Sequence, residues 1–299
     1  MIKTVIKMSI MTQLEFELDF SYSEKEIARY ILNHGEDVLS MSAKQLANAT
    51  YTSPATIVRL CRKLGLDGYN DFKIKYSAEL QYDQRTKKRI DVNFPFSVDD
   101  DEHGIAENLL LLTNEVISDT YQLINYDELN QFVDLLYHNQ NIDIYGSGNS
   151  ILAALSFQHK MMRIQRNVNV KTIQGEQIFM SYNSSPDKIA LMISYSGETS
   201  DLVRYAKILK EKQTPILLIT SLGDNQLSRM ADHVLHLDSR EKIFNKIAPF
   251  SSQISMEYVL NLIFSCIFLK DYNENIQNKI SYDKKNDDRH PLISPINED

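Results

Sequence analysis

The chain has two cysteines in 299 residues. Cys61 and Cys266 supply neither a disulfide framework nor a metal-ligand spacing, and both read as packing residues in a reducing cytosol. Long apolar runs are also lacking. No stretch approaches the roughly 18 apolar residues of a membrane span. The opening residues, MIKTVIKMSIM, are broken by lysines and have no continuous apolar core or cleavage signal. They read as a loose extension over residues 1–11, with Met8 or Met11 as an alternative start. A general excess of positive charge is missing too: the net charge is -8. With 43% apolar and 24% charged residues, the composition is that of an ordinary soluble globular protein, long enough for two modest domains and expected to be cytoplasmic. No metal site and no cofactor is implied. His159 begins no metal spacing, and His233 and His236 read as structural or surface residues on a strand.

The charge that is present is uneven. Residues 1–90 carry 14 Lys and Arg against 11 Asp and Glu, and the remainder carries 18 against 29. A basic head on an acidic body fits a small nucleic-acid contact on a larger ligand-binding module. Within the head, Ser23 with Glu26 forms a candidate capping box for a helix through EKEIARYILNH. A second helix starts at Ser40 or Ser42 and runs through AKQLANA. After the break TYT comes SPATIVRLCRKLG, where Ser53 suits an N-cap, Pro54 the first turn and Gly65 the stop. Two short helices this close match a helix-turn-helix, whose second helix enters the major groove. Ile57, Leu60 and Leu64 form its inward stripe. That leaves Ser53, Thr56, Arg59, Arg62 and Lys63 for phosphates and base edges, with Tyr69, Lys73 and Lys75 placed to flank the DNA backbone. The bland alternative is a small helical domain with a solvated basic face.

Residues 81–103 combine a basic cluster, a proline and an acidic cluster with little periodicity, and read as a linker. Arg85, Lys87, Lys88 and Arg89 there are either a solvated hinge or an extra DNA contact. Beyond it, Ile105, Leu109, Leu112, Val116 and Leu123 share a helical face. Expected boundaries are therefore 1–80 for the helical domain, 81–104 for the linker, 105–272 for a second domain and 273–299 for a polar, disordered tail.

In the second domain five strand-like runs alternate with helical stretches: NIDIYG, NVNVKTI, KIALMIS, PILLITS and HVLHLD. Nearly continuous apolar strands in alternating βα units indicate a parallel sheet covered on both faces. Ligands in such folds sit at the carboxyl ends of the strands, near helix N-termini. Two hydroxyl-rich turns lie there, YGSGNS at 145–150 and SYSGET at 194–199. Gly146 and Gly148 let backbone approach an anion, and Ser150, Ser194, Ser196 and Thr199 offer donors that need no proton transfer. The first turn lacks the third glycine of a dinucleotide fingerprint and the GK[ST] of a P-loop. Each serine taken singly also fits an N-cap. Glu241 follows the last strand and faces the expected pocket mouth, as a contact to a sugar hydroxyl or as a solvated charge.

Through SEKEIARYI, LSMSAKQLA and SPATIVRLCRKLGLDGYNDFK, followed by IYGSGNS, ISYSGET, PILLITS and LSRMADHVLHL, the chain resembles the RpiR family of bacterial transcription regulators over roughly residues 12–270. The resemblance implies an all-α helix-turn-helix domain followed by an α/β, doubly wound, parallel five-stranded sheet of the flavodoxin-like SIS type. It implies a phosphosugar effector held by Asn149, Ser150, Ser194, Ser196, Thr199 and Glu241. Asn149 stands where related isomerases often have threonine. Tyr51 occupies a turn position often held by glycine, and Gln165 ends a segment that in the family usually reads Arg-Ile-Gly. The implied function is a regulator of sugar-metabolism genes, binding double-stranded operator DNA as a homodimer or homotetramer. The rival is an aldose–ketose phosphosugar isomerase, which needs an acid/base pair; beyond Glu241 no second group is assigned, and no catalytic residue is named. A third reading is a sensor that binds protein partners.

Overall fold

The computed structural model describes residues 10–17, 20–85, 89–173, 175–238 and 240–286. Two compact units result. One is drawn from the chain up to Asn125 together with Thr220–Arg229 and His236–Ser255. The other is drawn from Tyr126–Ile219, Met230–Leu235 and the chain from Met256 onward.

The first unit opens with six helices: α1 (Ile10–Phe16), α2 (Tyr22–His34), α3 (Asp37–Ser40), α4 (Ala43–Ala49), α5 (Pro54–Lys63) and α6 (Tyr69–Arg85). Their starts are set by caps. Ser42 and Gln45 bond reciprocally at 2.8 and 3.2 Å, and the Thr56 amide donates to Ser53 Oγ at 3.2 Å with Pro54 behind it. The box on α2 falls two residues earlier than expected. Ser21, not Ser23, is the cap, and its amide donates to Glu24 at 2.8 Å. Helices this short are marginal alone. They are held by a shared core that includes Leu14, Ile27, Leu46, Ile57, Leu60 and Phe72, each contributing roughly 1.5–3 kcal/mol on burial. Cys61 belongs to that core, as expected of a packing residue.

The flanks differ from expectation. Ile10 and Met11, assigned to a loose extension, begin α1, and their amides donate to the Glu79 carboxylate at 2.8 and 3.0 Å. The rest of that extension, residues 1–9, lies outside the described residues, as do Lys87 and Lys88. Helix α6 runs to Arg85, past the expected boundary at 80, and Arg89 pairs with Asp119 at 3.3 Å. Asp119 lies on α7 (Glu102–Gln122), capped by Asp101 through the Gly104 amide at 2.8 Å. Of the apolar stripe expected on this stretch, Leu112, Val116 and Leu123 are buried, and Ile105 and Leu109 are half-buried.

After α8 (Tyr126–His138) come β1 (Ile142–Gly146), α9 (Asn149–Met162), β2 (Val168–Val170), α10 (Glu176–Tyr182), β3 (Ile189–Ser194), α11 (Ser200–Glu211), β4 (Ile216–Ser221) and β5 (His233–Leu237). The all-parallel sheet has the order β2-β1-β3-β4-β5, the flavodoxin-like arrangement. All residues of β1 and β3 are buried, as continuous apolar runs require when helices cover both faces. His233 on β5 lies 3.1 Å from Glu128, a structural contact. The chain ends in α12 (Phe250–Lys270) and α13 (Tyr272–Asn286), so helix occupies the start of the expected tail; residues beyond 286 lie outside the described residues. Helix α12 is long and apolar enough by length and composition to cross a membrane, contrary to expectation. It buries Met256, Val259, Leu260, Ile263 and Ile267 within the protein.

Both departures from the family pattern fall in left-handed backbone. Tyr51 has φ +52° and is 99% exposed; Gln165 has φ +59° at the end of α9, where the Arg166 amide closes on the Met161 carbonyl at 3.0 Å. A side chain there costs ~1–2 kcal/mol, more than the ~0.4–1 kcal/mol that glycine loses through the unfolded chain. Gln165→Gly and Tyr51→Gly should each raise stability by about 0.5–1 kcal/mol, read as a higher urea midpoint at unchanged slope.

Candidate functional site

Strands β1 and β3 pair directly and in parallel, with Ile142 opposite Ile189 and Gly146 opposite Ile193. Their carboxyl ends therefore lie side by side where the strand order reverses, the position at which doubly wound sheets bind ligands. Each strand turns into a helix there. Helix α9 begins on Gly148 and α11 on Thr199, and neither residue caps its helix with a side chain. The Ser150 and Ile151 amides of α9 donate to the Ser147 and Gly148 carbonyls at 3.2 and 3.1 Å, and no side chain covers either helix start, whereas α4, α5 and α7 have Ser or Asp on theirs.

The first turn is shaped by its glycines and by a side chain that sequence reasoning missed. A Cβ on Gly146 would meet Ser150 Cβ at 3.1 Å and the Ile193 carbonyl at 3.5 Å, and Gly148 has φ +55°. Gln177, on α10, accepts from the Gly146 amide at 3.2 Å and donates to the Gly146 carbonyl at 2.9 Å and the Lys171 carbonyl at 3.2 Å. It thus pairs both backbone groups of the residue that ends β1. Ser150 is buried and Asn149 half-buried at the start of α9. In the second turn Ser194 is buried and accepts from the Gly197 amide at 3.2 Å, with Thr199 Oγ1 at 3.5 Å. Ser196 Oγ accepts from the Glu198 amide at 3.2 Å, and Gly197 has φ +64°. Glu241 belongs to the other compact unit. It is 4% exposed, accepts from Ser252 N at 2.9 Å and Ser252 Oγ at 2.8 Å, and pairs with Lys246. It is not a solvated charge; its carboxylate is held at the start of α12.

On α5, Ile57, Leu60 and Leu64 point inward as expected, and Ser53, Arg59, Arg62 and Lys63 are exposed, with Thr56 half-buried. Two of the cations are tied. Arg59 Nε donates to Glu24 Oε1 at 2.9 Å, and Lys63 Nζ to Glu24 Oε2 at 2.8 Å. Lys73 reaches the Met41 carbonyl at 3.4 Å, over the Tyr69 ring; Lys75 pairs with Asp71. Tyr69, expected beside the DNA backbone, is instead buried with its hydroxyl on the Val38 carbonyl at 3.2 Å. Burial alone would push the Glu24 carboxyl up. The Lys63 ammonium, the Ser21 amide and the Arg59 guanidinium outweigh it and hold the group at about 2 instead of 4.5.

A helix-turn-helix with a basic second helix, joined to a parallel sheet with two glycine- and serine-bearing turns at its switch point, has the make-up of a DNA-binding regulator with a ligand domain. Residues 8–83 match the helix-turn-helix domain of the rpiR family, and residues 135–265 match the SIS domain. The chain belongs to the RpiR-type helix-turn-helix transcriptional regulators. It is 29% identical over 263 residues to an uncharacterized HTH-type transcriptional regulator of Caldanaerobacter subterraneus, covering 88% of this chain and 91% of that one. Its fold is that of the Vibrio vulnificus NanR protein, solved in complex with ManNAc-6P: TM-score 0.57, 21% identity, 92% of this chain and 97% of that one. The sugar isomerase domain of an RpiR transcription factor from Sphaerobacter thermophilus matches at TM-score 0.53 and 18% identity, over 60% of this chain and 98% of that one.

Two predictions concern the buried polar groups. Gln177→Ala leaves both Gly146 backbone groups unpaired and should cost about 1–3 kcal/mol in chemical denaturation. A carboxyl held below its unfolded value contributes stability that is complete above pH 4.5 and is lost as pH falls toward 2. Wild type should therefore lose stability relative to Glu24→Gln across that window, seen by acid titration of the unfolding free energy.

Proposed function

We propose that this regulator binds double-stranded operator DNA through α5 and takes a phosphosugar effector at the turns after β1 and β3, in a cytoplasmic homodimer or homotetramer. The carrying observation is the pair of adjacent strand ends, each leading into a helix whose start no cap side chain covers. Asn149, Ser150, Ser194, Ser196 and Thr199 flank those helix starts as neutral donors. A dianionic phosphate suits such a cradle, because helix N-termini and backbone N–H groups favour negative charge without a counter-cation. NanR, bound to ManNAc-6P, supports the effector class. On the DNA side Ser53, Thr56, Arg59, Arg62, Lys63 and Lys73 supply the contacts. Two copies are needed for two recognition helices to enter successive major grooves. The effector acts by binding one arrangement of the DNA-reading helices more tightly than another.

The reading assigns no catalytic step. Hydroxyl and amide donors bind without moving a proton, and Glu241, the one acid/base candidate, already holds Ser252 and Lys246. Incubation with hexose phosphates should show binding and no turnover; robust isomerisation overturns the choice.

A thermal-shift screen of sugar phosphates tests the effector site. A ligand at a hundred times its dissociation constant adds about 2.7 kcal/mol to stability. The double substitution Ser196→Ala, Thr199→Ala should abolish the shift, and a surviving shift means that the phosphate sits elsewhere. Arg59→Ala with Arg62→Ala should remove salt-dependent DNA binding; unchanged binding assigns the DNA surface to another element.

A further inference from the structure

Among the exposed cations of α5, Arg59 and Arg62 are held differently. Arg59 is 61% exposed, yet its Nε is fixed on Glu24, a carboxylate on α2 that is 1% exposed and 35 residues away in sequence. The same carboxylate takes Lys63 Nζ and the Ser21 amide, so three donors fix its position. Arg62 is exposed one helical step on, and no ion pair is recorded for it among the described residues.

A guanidinium pinned through Nε has lost its torsional freedom, and its two outer amino groups project as a rigid two-donor fork. That fork is the geometry that reads the O6 and N7 acceptors of guanine in the major groove. A free arginine follows a phosphate wherever it lies and carries no sequence information. The charge arithmetic points the same way. Arg59, Lys63 and ionised Glu24 together present one net positive charge where two exposed cations would present two. Sequence-independent attraction to the duplex is correspondingly weaker. With its carboxyl held at about 2, Glu24 stays ionised wherever DNA binding is measured.

We infer that Arg59 is the side chain of α5 that reads a G·C base pair, that Glu24 is the positioning residue that aims it, and that Arg62 supplies a phosphate contact only. This rests on α5 being the DNA-reading helix. The discrimination is set by a residue on a helix outside the helix-turn-helix pair α4–α5.

The test uses the full chain. Duplexes enriched by wild type from a randomised pool are compared with a scrambled duplex by fluorescence anisotropy, between about 50 and 200 mM salt. Glu24→Gln should bind the scrambled duplex at least as tightly as wild type, with a salt slope steeper by about 0.9, and should lose about tenfold in preference for the selected duplex. Loss of packing alone would not strengthen non-specific binding. Arg59→Lys keeps the charge and should erase the cost, about tenfold in wild type, of replacing one G·C pair in the selected sequence. Arg62→Ala should weaken both duplexes equally. Retention of wild-type preference by Glu24→Gln, or of the G·C preference by Arg59→Lys, overturns the assignment. If Glu24→Gln fails to give a folded melting transition, Arg59→Lys decides alone. If wild type enriches no duplex, the DNA reading itself fails, and this assignment fails with it.

Discussion

The parallel pairing of β1 with β3 is the constraint on which the ligand end of the protein depends. Once Gly146 stands opposite Ile193, two chain turns must leave the sheet at one edge. Two helices, α9 and α11, must also start there. Everything else at that edge serves this juxtaposition. A Cβ on Gly146 would crowd Ser150 at 3.1 Å, and Gln177 closes the backbone groups that strand pairing leaves over. The positive φ at Gly148 and Gly197 lets each turn double back into its helix. Donors fixed before a ligand arrives lose little entropy on binding it.

The DNA end depends on a buried ion cluster. A carboxylate removed from water costs several kcal/mol unless it is paired and hydrogen-bonded, and Glu24 is tolerated because a lysine, an arginine and a backbone amide converge on it. Convergence from two helices also fixes how α5 sits on α2. The two proposed anion sites thus differ in kind. The loops after β1 and β3 present hydroxyls at two helix starts. Helix α5 presents cations whose field is trimmed by an acid beneath them.

Much of this was legible in the sequence. Parallel strands buried on both faces appear as apolar runs, so all five were found; the cap at Ser53 was found, and Ser42 was one of two candidates with Ser40, because cap partners lie three residues away. What failed did so for tertiary reasons. The segment SYSEKE contains two S-x-x-E boxes, Ser21 with Glu24 and Ser23 with Glu26, and local chemistry does not rank them. Arg59 and Lys63 decide it, since they need Glu24 beneath them. Gln177 was invisible because its partner is 31 residues away. Tyr69 read as a surface residue because its position at the start of α6 hides the Val38 carbonyl that it binds. Tyr51 and Gln165 were marked as departures from a glycine pattern, and both carry the positive φ that glycine would relieve.

The segment after β5 is tied into the compact unit that also holds the N-terminal helices. Arg240 is shared among Asp238, Glu115 and Asp119, and Asp119 also pairs with Arg89. Asn93 accepts from the Lys242 amide at 2.7 Å through its side chain and from the Ile247 amide at 2.9 Å through its carbonyl. Residues just past the end of α6 are therefore bonded to residues just past the end of the last strand. Burial pushes the Asp119 carboxyl up even beside Arg240 and Arg89, so the cluster keeps its charges only while its partners stay in place. Such a network has one good arrangement and few intermediate ones, because a displaced guanidinium leaves buried carboxylates unpaired. That is the property a coupling element needs. A ligand shifts DNA affinity only by its differential affinity for two discrete states, and linkage returns the same factor from DNA to ligand.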